Sequence, residues 1–307
     1  MKRTAITNTV TYIEPDSMSN FKSCAGVVVS GSARIFLDVN MSKADTLTLL
    51  RSEPPDMAFI SHYHLDHVIW GKLVLEHTDA ELFIPEGEEA YLGSLDELVQ
   101  KTAGSYGLIP EWTDFIANVI GFQGLSGFST YMPEDRVSAG HDTIQCIPSP
   151  GHSPSHTSFY FPEEKILFTG DMGIDRFGPW YGWADCDLRE LVASALRLRA
   201  LDVSVLLTSH GGILTSDIEK AWDNGLRKII EREQHIEDRL HKGKTRAEII
   251  EQGIFFRNKS EVMEPMRSFL YMWDSYMLDQ HMTVLKEGGL RQFFPEFKTV
   301  IYTEKRK

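Results

Sequence analysis

Four side chains able to bind a metal lie within six residues of the sequence, in Ser61-His62-Tyr63-His64-Leu65-Asp66-His67. The apolar run Met57-Ala58-Phe59-Ile60 before them reads as a buried strand, and Val68-Ile69-Trp70 after them begins a helical pattern. The cluster therefore sits where a strand ends and the chain turns, the kind of place that carries chemistry on a rigid scaffold. A strand alternates its side chains, so His62 and His64 can point the same way, while Asp66 and His67 fall past the bend. We expect this stretch to begin a two-metal site whose remaining ligands come from elsewhere in the chain.

Three further stretches offer them. Ser149-Pro150-Gly151-His152 follows the apolar run ending at Ile147, Thr169-Gly170-Asp171 follows Ile166 to Phe168, and Ser209-His210-Gly211-Gly212 follows Val203 to Thr208. In each, a ligand-type residue ends an apolar run beside glycine, which lets backbone and metal approach closely. One histidine after one strand is most often a hydrogen-bonded structural group. Four such stretches at four strand ends point to a joint site of five His and two Asp. That donor set suits Zn2+, with Fe or Mn as alternatives. No cysteine takes part, which argues against a structural thiolate zinc site.

Other polar residues take plainer readings. His156, four residues after His152, is expected to support a ligand by hydrogen bond. His77, His141, His235, His241 and His281 read as surface or core. The aromatic loop Phe177-Gly178-Pro179-Trp180-Tyr181-Gly182-Trp183 follows Asp171 closely. Trp180, Tyr181 and Trp183 are expected to wall a substrate pocket suited to an acyl, aryl or thioester group. Tyr63 or Tyr181 could donate to an oxyanion, with packing as the simpler role.

The elements that must position these residues can be read in order. Ala25 to Ser30 and Ala33 to Asp38 are β-rich runs joined at Gly31-Ser32. Ser42 to Arg51 reads as a helix stopped by Pro54-Pro55. Glu81 to Ile84 reads as a strand and Gly87 to Lys101 as a helix. Residues 102–133 hold five glycines and many apolar residues; they read either as a helical insert packed on the core or as a lid over the pocket. Thr143 to Ile147, Ser158 to Phe161, Ile166 to Thr169 and Val203 to Thr208 read as strands, with a helix capped by Asp187 and running to about Leu201. Two halves of strands followed by helix suggest two sheets packed face to face with helices outside. After residue 216 the pattern becomes helical. One long helix ends at Gly243, a capping box Thr245-Arg246-Ala247-Glu248 opens a short one, a third spans Glu261 to Lys286, and Phe297 to Tyr302 reads as a β tail. This layout suggests a small module of winged-helix type.

The 307 residues suffice for one large domain with an extension. A net charge of −13 disfavours a broad nucleic-acid surface. Three widely spaced cysteines without a CxxC pair fit a reducing compartment. No signal segment or membrane-length apolar run is apparent, so a cytoplasmic location is expected.

His62-x-His64-x-Asp66-His67, Gly151-His152, Thr169-Gly170-Asp171 and Ser209-His210-Gly211 together resemble the motif set of the metallo-β-lactamase-fold superfamily, in its order, over roughly residues 20 to 215. The resemblance implies an α/β fold, a four-layer αββα sandwich with the site at one edge of both sheets. It implies a catalytic domain over residues 1–215 and a helical C-terminal module over 216–307, similar to lactamase-beta-like or glyoxalase II-like hydrolases. By position, His62, His64 and His152 resemble the ligands of a first metal and Asp66, His67 and His210 those of a second, with Asp171 the bridging carboxylate. Asp171 stands where lactam-cleaving members with a metal-binding cysteine carry Cys, which argues against a true β-lactamase. The implied chemistry is hydrolysis of an ester, thioester or lactone carbonyl by a metal-bridging hydroxide, two divalent ions serving as cofactor and Asp66 holding the proton. A phosphodiesterase or ribonuclease and a mononuclear iron sulfur dioxygenase are alternatives within the fold. The expected partner is a small-molecule substrate, and the C-terminal module leaves open a homodimer.

Overall fold

The computed structural model describes residues 1–18, 21–140, 143–295 and 297. Among these residues thirteen strands form two sheets. The first contains β1 (Lys2–Ala5), β2 (Val10–Glu14), β3 (Gly26–Ser30), β4 (Arg34–Leu37), β5 (Met57–Phe59), β6 (Glu81–Pro85) and β7 (Ser129–Tyr131), side by side in that order. The second contains β8 (Arg136–Ser138), β9 (Thr143–Pro148), β10 (Thr157–Phe161), β11 (Ile166–Phe168), β12 (Val205–Thr208) and β13 (Gly212–Leu214), running from β13 at one edge to β8 at the other.

Strands β4 to β7 pair in parallel, as do β11 and β12. Parallel neighbours need crossovers, and the helices supply them: Lys43–Ser52 between β4 and β5, Leu65–Val68 and Gly71–His77 between β5 and β6, and Leu188–Arg199 between β11 and β12. Alternation along each strand then divides the side chains between two cores. Val27 and Val29 of β3 join Ile166 and Phe168 of β11 and Leu207 of β12 in an apolar layer between the sheets. Their neighbours Val28, Leu167 and Leu206 join a second core with helix residues such as Leu49, Leu73 and Leu191. A strand buried on both faces must be covered twice, which gives the α/β four-layer sandwich.

The C-terminal part packs on the same core. Trp222, Leu226 and Ile229 of the helix Ile218–His241 and Phe269, Trp273 and Met277 of the helix Met266–Lys286 are all buried there. Each such side chain contributes about 1.5–3 kcal/mol of burial. The short helix Arg246–Gln252 opens with the expected capping box, Thr245 Oγ1 accepting from Glu248 N–H. Among the described residues no strand follows Leu214. The expected tail Phe297–Tyr302 lies outside them except for Phe297, which is buried. No helix among the described residues is long and apolar enough to cross a membrane.

Several elements differ from the sequence reading. Strands β1, β2, β7, β8 and β13 were not expected; most are short edge or near-edge strands. The helix expected over 87–101 is two, Glu89–Gly93 and Leu95–Ala103, because Ser94 takes extended backbone and caps the second by accepting from Glu97 N–H. The third C-terminal helix begins at Met266 rather than Glu261, after Pro265. Within 102–133, Trp112, Ile116, Phe122, Leu125 and Tyr131 are buried, and the stretch ends in β7.

Candidate metal centre

The first cluster is built by a strand, a tether and a turn. After β5, Ile60 N–H donates to Phe83 O at 2.9 Å and Ser61 N–H to Asp38 Oδ1 at 2.7 Å. His64 is extended and stands at the N-terminus of the helix Leu65–Val68. The turn brings His67 back over His62, with ring centres 4.1 Å apart, and leaves His64 beside His62 at 4.5 Å. His152, on the loop after β9, has its ring centre 4.8 Å from that of His62 and 4.4 Å from that of His64. Asp171 follows β11 and His210 follows β12. The candidates thus collect outside the carboxyl ends of β5, β11 and β12, the usual crevice of an open α/β sheet.

All seven expected ligands come together, in two overlapping groups: His62, His64, His152 and Asp171, and Asp66, His67, Asp171 and His210. Within each group the candidate donor atoms lie within 4.8 Å of one another. Asp171 belongs to both. Its Oδ1 is 3.4 Å from His67 Nε2 and 3.3 Å from His210 Nε2, and its Oδ2 is 3.6 Å from His152 Nε2. Asp66 Oδ2 is 3.1 Å from His210 Nε2. The Nε2 atoms of His62, His64, His67 and His152 and Oδ1 of Asp171 are buried without a hydrogen-bond partner. Five converging buried atoms left unmatched would be costly in a folded protein. They are donor types that a divalent ion takes, so the residues fit two ions sharing Asp171.

The far sides of the rings are fixed. His152 Nδ1–H donates to Trp180 O at 2.8 Å, and His67 Nδ1–H donates to Asp38 Oδ2 at 2.9 Å. His62 Nδ1 lies 2.9 Å from Ser61 Oγ. A proton held on Nδ1 leaves the Nε2 lone pair free toward the cluster. His156 holds the main chain at Asp171. Its Nε2 accepts from Asp171 N–H at 3.0 Å, so its Nδ1–H faces Ser149 Oγ at 2.8 Å. Burial, with help from His152, pushes His156 down to about 3, which keeps it neutral and Nε2 an acceptor. Gly170 makes this contact possible: its φ is +57°, and a Cβ there would stand 2.6 Å from His156 Nε2.

Burial holds His62 and His64 well below the usual imidazole value, and their histidine neighbours add to it. A neutral imidazole keeps one ring nitrogen free to accept a metal ion. Burial opposes protonation of His67 and His210 too, but nearby acidic groups outweigh it: Cys24, Asp171 and Asp38 for His67, Asp171 and Asp66 for His210. Asp171 is held well below the usual carboxylate range, burial being overcome by His210 and His67. The protein groups around the second cluster therefore favour positive charge, which a cation supplies.

Two supporting acids escaped the sequence reading. Asp38 is buried at the end of β4, and its two oxygens hold Ser61 N–H and His67 Nδ1–H. It ends an apolar strand as the ligands do, which is the signal that could have found it. Glu88, also buried, accepts from Tyr63 N–H at 2.6 Å, Ser153 Oγ–H at 2.5 Å and Ser155 N–H at 3.0 Å. It thereby clasps the loop of His62 and His64 to the loop of His152. Burial pushes its carboxyl up to about 8, against those three donors. Asp38→Asn is expected to weaken metal binding by about 10–100-fold, because an amide NH2 facing His67 Nδ1–H forces the ring to turn or change tautomer. Zinc competition with a chelator measures this; wild-type affinity would contradict it.

The aromatic candidates divide. Trp180 and Trp183 have ring centres 5.7 and 6.5 Å from that of His64. Tyr63 stacks on Tyr91 with its hydroxyl on Asp185 at 3.2 Å, and Tyr181 is buried with its hydroxyl 2.8 Å from His281 Nε2. Both tyrosines are buried with their hydroxyls engaged by protein groups. His281, read as surface or core, is a core residue. His141 lies outside the described residues.

Comparison with known proteins agrees with this geometry. The family model of the metallo-beta-lactamase superfamily matches residues 44–210, that is 167 of 307 residues. The chain is 26% identical over 204 residues to the probable metallo-hydrolase YflN of Bacillus subtilis, covering 61% of this chain and 71% of that protein. It is 26% identical over 117 residues to a hydroxyacylglutathione hydrolase of Mesorhizobium japonicum, covering 38% of this chain and a third (33%) of that one. Among solved structures, the metallo-beta-lactamase family protein TTHA1429 of Thermus thermophilus superposes with a TM-score of 0.68 at 17% identity, over 92% of this chain and 95% of that one. A beta-lactamase domain protein of Burkholderia ambifaria gives 0.68 at 14% identity, over 93% and 88%. With the family matched across more than half its length and the donor set assembled in the fold, the chain belongs to the metallo-β-lactamase superfamily and is a metal-dependent hydrolase.

Proposed function

We propose that the protein hydrolyses an ester, thioester or lactone-type carbonyl of a small molecule, using two divalent ions, zinc first among them. His62, His64 and His152 would hold one ion and Asp66, His67 and His210 the other, with Asp171 between them. The observation that carries this reading is the pair of donor groups sharing one carboxylate, with their ring nitrogens buried and unmatched. Bound there, two such ions would lower the pKa of a water and polarise the substrate oxygen.

The chain's own groups do the rest. Asp66, whose Oδ2 lies 3.1 Å from His210 Nε2, would take the proton of the attacking water. Asp38, His156 and the Trp180 carbonyl hold the ligands in orientation. The rings of Trp180 and Trp183, centred 5.7 and 6.5 Å from that of His64, give the cluster an apolar flank. Such a wall suits an acyl or thioester group better than a phosphodiester, and the net charge of −13 is unfavourable to a polyanion. Hydroxyacylglutathione, the substrate named for one set of relatives, is itself a thioester. Iron is the competing ion, because a structural relative, TTHA1623, was solved in a di-iron-bound form.

A screen of thioester, ester, lactone and phosphodiester substrates tests the proposal. Turnover of a carbonyl ester or thioester that disappears on chelation is the expected result. Cleavage of phosphodiesters alone, or oxygen uptake with a sulfur substrate and no hydrolysis, would overturn it.

A further inference from the structure

The loop between Asp171 and the helix Leu188–Arg199 presents a row of main-chain carbonyls to the C-terminal helices. Lys228 and Arg232 lie four apart on the helix Ile218–His241, and so share a face. Lys228 Nζ donates to Asp175 O at 3.0 Å and to Arg176 O at 2.6 Å. Arg232 is buried, and its guanidinium donates to Pro179 O at 2.6 Å and to Phe177 O at 3.0 Å. Two cations thus hold four loop carbonyls. The loop runs directly on the helix at Gly178, where φ is +80° and a Cβ would stand 2.4 Å from Lys228 Cδ. On the far side of Trp180, the helix Met266–Lys286 takes over. His281 meets the Tyr181 hydroxyl at 2.8 Å, Gln280 Nε2 donates to Cys186 O, and Gln280 Oε1 accepts from Leu188 N–H at 3.3 Å.

Between these two clamps lies the carbonyl of Trp180, which accepts from His152 Nδ1–H. Cys186 Sγ–H donates to His152 O at 3.2 Å. Both routes from the C-terminal helices end on the same histidine. We infer that the C-terminal helices are a positioning device for the metal centre: Arg232, seconded by Lys228, sets the Trp180 carbonyl and through it the tautomer and aim of His152. The inference rests on His152 being a metal ligand, as proposed above, and gives the C-terminal part a task in the site itself. Arg232 is a positioning residue; its guanidinium is occupied by protein carbonyls.

The test uses the full-length protein loaded with Zn2+ and, in parallel, with Co2+, whose visible spectrum reports coordination. Arg232→Met should release one of the two ions to a chelator about 10-fold faster or more and shift the Co2+ spectrum, with far-UV circular dichroism unchanged. Arg232→Lys, which keeps one charged donor, should fall in between. Lys228→Met, on a less buried residue, should give a smaller change in the same direction and stands in if Arg232→Met does not fold. Folded variants with wild-type release and an unshifted spectrum would overturn the inference. A wild-type protein that holds no ion would overturn the ligand reading of His152 itself, and the inference with it.

Discussion

Asp171→Ala is expected to leave the protein folded but unable to hold either ion. The side chain reaches both clusters, through Oδ1 at 3.3 and 3.4 Å from His210 and His67 and through Oδ2 at 3.6 Å from His152. Among the described residues no other belongs to both donor groups. Alanine also removes an acidic neighbour that favours protonation of both His67 and His210, so the imidazoles can adjust without unfolding the strand ends that carry them. Metal content should fall from about two ions per chain to well under one, and turnover by about 10^3-fold or more. Asp66→Ala, which removes a member of one group only, should spare the first ion. Elemental analysis of the two variants side by side decides the matter: full metal content in Asp171→Ala would remove the shared-carboxylate account.

The largest effect on stability is expected at Asp274→Ala, away from the metals. Asp274 and Lys259 form a fully buried ion pair at 2.7 Å between the helix Met266–Lys286 and the turn before it. Asp274 also accepts from the main-chain N–H of Ile254, Phe255 and Phe256, and Lys259 donates to the carbonyls of Ile250 and Phe256. Removing the carboxylate leaves a buried ammonium uncompensated and three donors unmatched, at a cost of about 3–5 kcal/mol. For a chain of this size that lowers the melting temperature by roughly 10 °C. Converting both partners, Asp274→Leu with Lys259→Met, should recover part of the loss because no charge remains buried. Thermal denaturation of the single and double variants checks both statements. A single variant that melts with the wild type would show that the pair contributes nothing to the fold.

The candidate ligands were legible because their signals are local. Each of their four stretches follows an apolar run, three of the residues stand beside a glycine, and the order of the stretches carries the resemblance. Their supports were less so. Glu88 sits in Glu86-Gly87-Glu88-Glu89, which reads as a solvated acidic turn; its burial comes from the loops of Tyr63 and Ser153 closing over it. Trp180 was expected to act through its ring, yet its carbonyl also orients His152, and a main-chain group leaves no trace in residue type. Tyr181 stands in an aromatic loop and looks like pocket wall, but its partner His281 lies a hundred residues away. The fold was legible where strands are buried on both faces, as β3, β11 and β12 are, because these give apolar runs. The edge strands β1, β7, β8 and β13 are three or four residues long and half exposed, so neither length nor alternation marks them.

The proposed centre holds two divalent ions at one shared carboxylate. Elemental analysis of protein purified without added metal tests it most directly. About two equivalents per chain, zinc foremost, are expected. A protein that arrives without metal, and still binds none after incubation with Zn2+, Fe2+ or Mn2+, would contradict it.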